Sequence, residues 1–418
     1  MKYKIIIILI SVILLNSIQS SRELNDLTIV SSVGIEKKED EYLVTALITT
    51  PEKSESGASS SSSEKKVMYH SSAKTIHDAL RKMTVESPNK LYLAHLKLLL
   101  ISEDIARENL KDAFDFFVRD TETSNDFIFL VSKNSSPQDV LSLVIPNEEN
   151  LTENIIDSVE ASAKYLGYCN ENTLNQTLDT ILTGGEQVVM PSVEIVKESS
   201  NKNNEEKKNN NENSLGLTTS SEKNQDENEK KDSDQNTANE EIKGKVKIDK
   251  MAYFKDSKLI GYLTDEESMV CNLIRNKINN TILEVNEEYK FAVEIVKIKV
   301  DLKPTYENNE YVVNITVKCS CNITEIKENY PAITKENVAK YQECIEKKMK
   351  EQMYNYIYKC QNEYKTDILG YEKLYKKKLN KEYKKIEKNF ENEIFPKIKT
   401  NIDIHAQISN YGGIRKEW

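Results

Sequence analysis

Residues 91–141 read LYLAHLKLLLISEDIARENLKDAFDFFVRDTETSNDFIFLVSKNSSPQDVL, and this stretch decides the fold. Leu96 to Ile101 is a near-continuous apolar run bounded by polar residues. It is too short for a helix of its own and fits a strand covered on both faces. Ser102 stands where an N-cap belongs, and Glu103 and Asp104 put negative charge in the first helical turn. Ala106, Leu110, Ala113, Phe114 and Phe117 then recur at offsets of four, seven, eight and eleven, one face of an amphipathic helix. Asp126 to Val131 reads as a second strand, and Pro137 opens another short helix through Leu141 and Leu143. Strand, helix, strand, helix is the order of an α/β layer. No catalytic pattern lies within it.

Upstream, Leu27 to Ile35 and Tyr42 to Thr49 predict a hairpin across a charged turn. Pro51 to Lys66 is Ser-rich and aperiodic, hence a loop. Ala73, Ile76, Leu80 and Met83 predict a helix ending near Ser87-Pro88. These elements make an N-terminal α/β domain over residues 22–146. Residues 147–275 form a middle domain: helices over 151–168 and 173–182, a stop at Gly184-Gly185, and an extended run from Val188 to Val196. Ser199 to Glu241 has almost no large apolar residues, cannot offset its ordering entropy, and reads as a disordered insert. Val246 to Phe254 and Leu259 to Leu263 predict two strands. Thr264 and Glu267 then form a T-x-x-E capping box ahead of Met269, Val270, Leu273, Ile274 and Ile278.

Residues 276–413 alternate cleanly. Val296 to Leu302 and Tyr311 to Ile323 read as strands joined over Pro304 to Glu310. Val338, Tyr341, Ile345, Met349, Met353, Tyr356 and Cys360 form a long helical stripe, which Asp367-Ile368-Leu369-Gly370 ends. A Lys- and Tyr-rich helix runs on to Phe395-Pro396, and Ile402 to Ile408 closes as a strand. The plan of this last domain is β-β-α-β. The expected class is α+β, mixed α/β: three small mixed-sheet domains with a disordered insert.

The 418 residues are 38% hydrophobic and 30% charged, enough for two or three cores with a solvated remainder. The net charge of −10 argues against nucleic acid as a partner. Lys2 and Lys4 precede an apolar run from Ile5 to Leu15, so residues 1–21 read as a signal peptide or an N-terminal anchor. The run is shorter than the roughly 20 residues of a spanning helix. Six Cys in an exported chain raise disulfides. A zinc site lacks CxxC spacing and a nearby His. Buried thiols are the reading taken, since Cys packs as a small apolar residue.

His95 borders an apolar strand, where a structural role is commoner than catalysis. His70, His77 and His405 show no paired spacing, and His405 falls on the polar side of its strand. Phosphate-loop, G-x-S-x-G and H-E-x-x-H patterns are missing. Arg119-Asp120 closes the Phe-rich helix, either as a partner contact or as a local ion pair. Tyr371 to Lys388 could attract anionic headgroups, and a solvated helix face is the plainer reading. Nothing here asks for a cofactor or a metal, and no catalytic residue is singled out.

The order HLKLLLISE, IAR, NLKDAFDFFVRDTE resembles the Ger(x)C family, the C subunits of bacterial spore germinant receptors. MAYFKDSKLIGYLTDEES resembles the family run in which a strand, a turn and GYL precede an acidic helix start. Asp367 to Gly370 resembles a third block, and the likeness extends from Arg22 to Gly413. It marks Arg119, Asp120, Gly261, Tyr262, Asp367 and Gly370 as family-motif positions and candidate partner contacts. The resemblance implies a non-enzymatic spore germination protein. Such a subunit sits with membrane subunits A and B at the outer face of the spore inner membrane and takes part in nutrient-triggered germination. One departure stands out. Family members carry a lipobox Cys, whereas here residues 16–21 read NSIQSS and the first Cys is Cys169. The competing expectations are an exported envelope-polymer hydrolase, which calls for one deep cleft of convergent titratable groups, and a solute-binding protein, which calls for two like lobes.

Overall fold

In the computed structural model, residues 27–51, 64–87, 89–144, 150–197, 244–327, 331 and 333–410 are described. The expected leader, the insert at 199–241 and most of the Ser-rich loop lie outside them. The described chain builds two sheets. The first has nine strands: β1 (Leu27–Lys38), β2 (Glu41–Pro51), β3 (Glu64–Ala73), β4 (Lys90–Tyr92), β5 (Leu98–Ser102), β6 (Ile128–Ser132), β7 (Val189–Lys197), β8 (Gly244–Lys255) and β9 (Lys258–Tyr262). Their order is β3-β2-β1-β5-β6-β7-β8-β9, with β4 beside β1. The centre is parallel and both flanks are antiparallel. The second sheet orders β10 (Thr281–Asn286), β11 (Lys290–Glu307), β12 (Glu310–Ile326) and β13 (Lys399–Asn410) in sequence.

The class is α+β, as the sequence indicates. The grouping differs from three separate sheets. Strands β7 to β9, read as part of a middle domain, continue the N-terminal sheet, because β7 runs parallel to β6 at Val131 and Ser192. The quoted stretch behaves as its composition requires. Leu98 and Leu100 face one side of the sheet and Leu99 and Ile101 the other, all fully buried. One face is covered by α1 (Ile76–Lys82), α2 (Glu103–Glu108) and α3 (Leu110–Arg119), and the other by α4 (Pro137–Ser142) and α5 (Leu151–Tyr165). The single helix expected after Ser102 is two. Asn109 is extended at φ −173°, its side chain accepts the Lys111 N–H at 3.1 Å, and the Leu110 N–H turns out to the Ser257 carbonyl at 2.8 Å.

α6 (Leu174–Thr183) ends at Gly184, and α7 (Asp265–Ile274) starts with the capping box seen in the sequence, both hydrogen bonds formed. The second sheet has a strand that sequence reading missed, β10, whose Leu283 and Val285 enter the core. The β11–β12 turn is only Asn308-Asn309, both at positive φ, so Pro304 lies inside the strand opposite Val313. α8 (Val338–Lys359) buries Tyr341, Ile345, Met349, Met353 and Tyr356 along the expected stripe. The Lys/Tyr helix is not continuous: α9 (Tyr371–Lys378) and α10 (Asn380–Ile386) give way to short irregular turns. They break because Tyr371, Tyr375 and Tyr383 must all reach the core. One buried cluster runs from the first sheet through α7 and the buried face of α8 to the second sheet, so the two sheets share a core. Among the described residues no helix is long and apolar enough to cross a membrane.

Candidate functional site

A cluster of buried charge lies where the two sheets meet. α7 delivers Arg275 as its C-cap, with a side chain only 6% exposed. Its Nε–H donates to the Ile368 carbonyl at 2.9 Å, and one terminal nitrogen donates to the Gln187 carbonyl at 2.7 Å. Its other terminal nitrogen lies 3.4 Å from Glu186 Oε1. Glu186 also accepts from Lys373 Nζ at 2.7 Å. Burial raises the Glu186 carboxyl, but Arg275 and then Lys373 outweigh it, and the net value falls below the ordinary one.

The Asp367–Gly370 block closes the junction from the second sheet. Asp367 is fully enclosed and accepts the N–H groups of Tyr371 at 3.1 Å and Glu372 at 2.7 Å, capping α9. Burial pushes its carboxyl up to about 7, against the pull of those two N–H groups and of Arg275. Gly370 turns the chain at φ +74°. On the facing side, Gly185 lets the Lys373 N–H reach its carbonyl at 2.7 Å. A Cβ on Gly185 would stand 3.0 Å from Lys373 N. A polar cleft of about 430 Å³ opens beside the cluster, lined in part by Asn175, Thr180, Glu186, Lys277 and Lys373. Burial and then the Arg275 charge lower the Lys277 ammonium.

A second latch lies on the other side of α7. Glu267 Oε2 takes the Thr264 N–H at 2.8 Å, completing the capping box, while Oε1 accepts Lys359 Nζ at 2.6 Å and the Tyr364 hydroxyl at 2.9 Å. One carboxylate therefore starts α7 and holds the end of α8.

The structure brings Asp367 and Gly370 into this junction. Tyr262 is elsewhere: its hydroxyl donates to Glu103 Oε1 at 2.6 Å, tying β9 to the start of α2, and Lys133 Nζ sits 5.2 Å from its ring centre. Gly261 is needed because a Cβ there would meet the Tyr253 ring at 3.0 Å. Arg119 is exposed and pairs with Asp115 at 2.9 Å one turn back, and Asp120 accepts the Thr123 hydroxyl. His77 stacks on Phe116, His95 meets Tyr92 edge-on, and His405 is exposed beside Asp403. All six Cys are buried and free. Sequence reading missed Glu186, Arg275 and Lys373. The available signal was an Arg directly after the apolar end, Leu273-Ile274, of an acid-started helix, and an acid directly after Gly-Gly.

Chemically, these groups are spent on one another. Among the described residues no three His, Cys, Asp or Glu side chains are grouped to hold a metal.

Residues 20–195 match the family described as "Spore germination protein N-terminal domain", and residues 249–412 match "Spore germination B3/ GerAC like, C-terminal". The chain is 23% identical over 416 residues to "Spore germination protein KC" of Bacillus subtilis (strain 168), covering 97% of this chain and 95% of that one. It is 22% identical over 403 residues to "Spore germination protein B3" of the same organism, covering 94% of each. The crystal structure of the GerBC protein superposes with a TM-score of 0.55 at 18% identity, covering 90% of this chain and 97% of that one, and so shares its fold. With both matches in chain order and relatives aligned along nearly the whole chain, the chain belongs to the Ger(x)C family, the C subunits of bacterial spore germinant receptors.

Proposed function

We propose that this chain is a non-catalytic assembly subunit that joins membrane subunits A and B of a germinant receptor, at the outer face of the spore inner membrane, and acts in nutrient-triggered germination. It works by contact and population shift rather than by bond chemistry. The observation that carries this reading is the use made of buried charge. Arg275, Glu186 and Glu267 bridge the two halves, and Asp367 caps the helix beside them. Glu186 borders the polar cleft, but its oxygens are already paired with Arg275 and Lys373, so it is not held as a base or nucleophile with a partner to activate it. Shared core and shared clamps make the two sheets one rigid part, suited to presenting a fixed surface to neighbours. Arg119, Asp120 and Tyr262 belong to that surface in this proposal.

The test is affinity purification of the tagged chain from detergent-solubilised spore membranes. The expected result is co-purification of two integral membrane subunits in fixed ratio, together with loss of nutrient germination on deletion. Recovery of the chain alone, with germination intact in the deletion strain, would overturn the proposal.

A further inference from the structure

Among the described residues the second sheet has one face against α8 and the other exposed. On the open face, register sets the side chains of β11, β12 and β13 in rows. Lys299 stands directly opposite Lys318, and Lys318 directly opposite His405. Lys297 lies two residues before Lys299 and points the same way. Like charges directly opposite each other on a sheet repel. No ion pair or hydrogen bond of the Lys297, Lys299 or Lys318 side chains is formed among the described residues. At the other end of the same face Lys399 meets Glu310 at 2.7 Å and 2.8 Å. His405 alone has an acid, Asp403 at 3.0 Å. Among the described residues the three lysines therefore stand without an ion-pair partner, in a chain whose net charge is −10.

The row is also concave. Lys297, Lys299, Lys318 and His405 line a cleft of about 780 Å³, with the hydroxyl of Ser320 and the amide of Gln407 beside them. Glu346 on its wall accepts the Ala406 N–H at 2.9 Å and keeps its negative charge, so the lining sets three ammonium groups against one carboxylate and stays net positive. We propose that this cleft binds a compact phosphate dianion, the phosphate group of a soluble monoester. Three ammonium groups supply the charge, and the hydroxyl and amide supply neutral donors at the rim. Compactness is set by the next row. There Asp301 and Asp403 flank Thr316, so a broad anionic plane laid over the sheet would meet two carboxylates. A single phosphate over Lys299 and Lys318 would not. The site is independent of the receptor-assembly reading, and either can fail alone.

Titration calorimetry of the full chain with glycerol 3-phosphate at low salt tests it. Saturable binding is expected, weakening as salt rises because exposed charges are screened beyond a Debye length of about 8 Å at physiological ionic strength. The double variant Lys299→Gln/Lys318→Gln should raise Kd at least ~10-fold. Its Tm should hold or rise, since a like-charge pair has been removed, which separates lost binding from lost folding. Lys350→Gln, on the exposed side of α8, should leave Kd unchanged. No saturable heat, or equal affinity in the double variant, overturns the site. Binding to phosphatidylglycerol vesicles without any response to glycerol 3-phosphate also overturns it, because the row would then be a membrane-facing patch.

Discussion

Arg275 at the end of α7 donates through its Nε–H to the main-chain carbonyl of Ile368, 2.9 Å away in the other half of the molecule. The same guanidinium reaches Gln187 and Glu186, so one planar fork holds three acceptors from two segments. Arg275→Ala leaves a buried carboxylate short of its main partner and two carbonyls without donors. A loss of about 3–5 kcal/mol is expected, read by urea denaturation. Arg275→Lys should recover only a small part, since a point ammonium cannot match the fork. A loss below ~1 kcal/mol for the Ala variant would show that the clamp is replaceable by water.

The two glycines at the junction answer to different constraints. Gly185 sits at φ +74° with the Lys373 backbone where a Cβ would go, so Gly185→Ala meets both strain and a clash that no rotamer relieves. It should cost about 2–3 kcal/mol. Gly370 has the same φ, but its nearest neighbour is the flexible Glu186 side chain at 3.5 Å. Gly370→Asn should cost less than ~1 kcal/mol, because Asn tolerates the left-handed region. Thermal melts of the two variants side by side decide the order, and the reverse order would contradict the geometry.

Arg119 makes its ion pair with Asp115 in the open, at 76% and 63% side-chain exposure. Such a pair adds little, so Arg119→Ala should change stability by less than ~0.5 kcal/mol. If Arg119 is a contact for a membrane subunit, the same substitution should still weaken co-purification. Unchanged co-purification would return Arg119 to a purely local role.

Much of the fold is legible because burial imposes period. Leu98 to Ile101 had to be a strand covered on both faces, and Tyr341 to Tyr356 had to be one side of a helix, because few other arrangements hide those side chains. The Thr264–Glu267 capping box is legible for a local reason: both its hydrogen bonds close within one turn. Which sheet β7 to β9 join was not legible, since that depends on pairing across 60 residues between Val131 and Ser192. The split at Asn109 was masked by a helical pattern that continues in register on either side. The junction itself was half visible. Asp367 and Gly370 stand out as a block, whereas Glu186 and Arg275 are single charges in a chain with 126 of them, and only the fold brings them 3.4 Å apart.

All six thiols are buried in the folded chain. Burial raises Cys271 and Cys360, which suppresses the reactive thiolate. Ellman's reagent should therefore find almost no thiol in the native protein and all six after denaturation without reductant. Fewer than six in denaturant would mean that some pair is oxidised in the isolated protein.

Asp367 gives the junction a pH dependence of its own. Its carboxyl stands at about 7 in the folded chain, against an ordinary value of 3.8, because it is enclosed on all sides. The folded state thus binds this proton more tightly than the unfolded state does. Its contribution is fully present below about pH 4 and declines as pH rises through about 7, at up to ~1.4 kcal/mol per unit. That is opposite in sign to Glu186 and Glu267, whose carboxyls are held below the ordinary value and whose contributions are lost only as pH falls below about 4.5. The two windows do not overlap between pH 5 and pH 8, so Asp367 can be isolated there. Asp367→Asn keeps an oxygen to cap α9 and cannot ionise. Urea unfolding at pH 5 and pH 8 should show wild type losing stability relative to this variant on going to the higher pH, by about 2–3 kcal/mol. Parallel curves would mean that the N–H groups of Tyr371 and Glu372, together with Arg275, already keep the carboxylate ionised at pH 5.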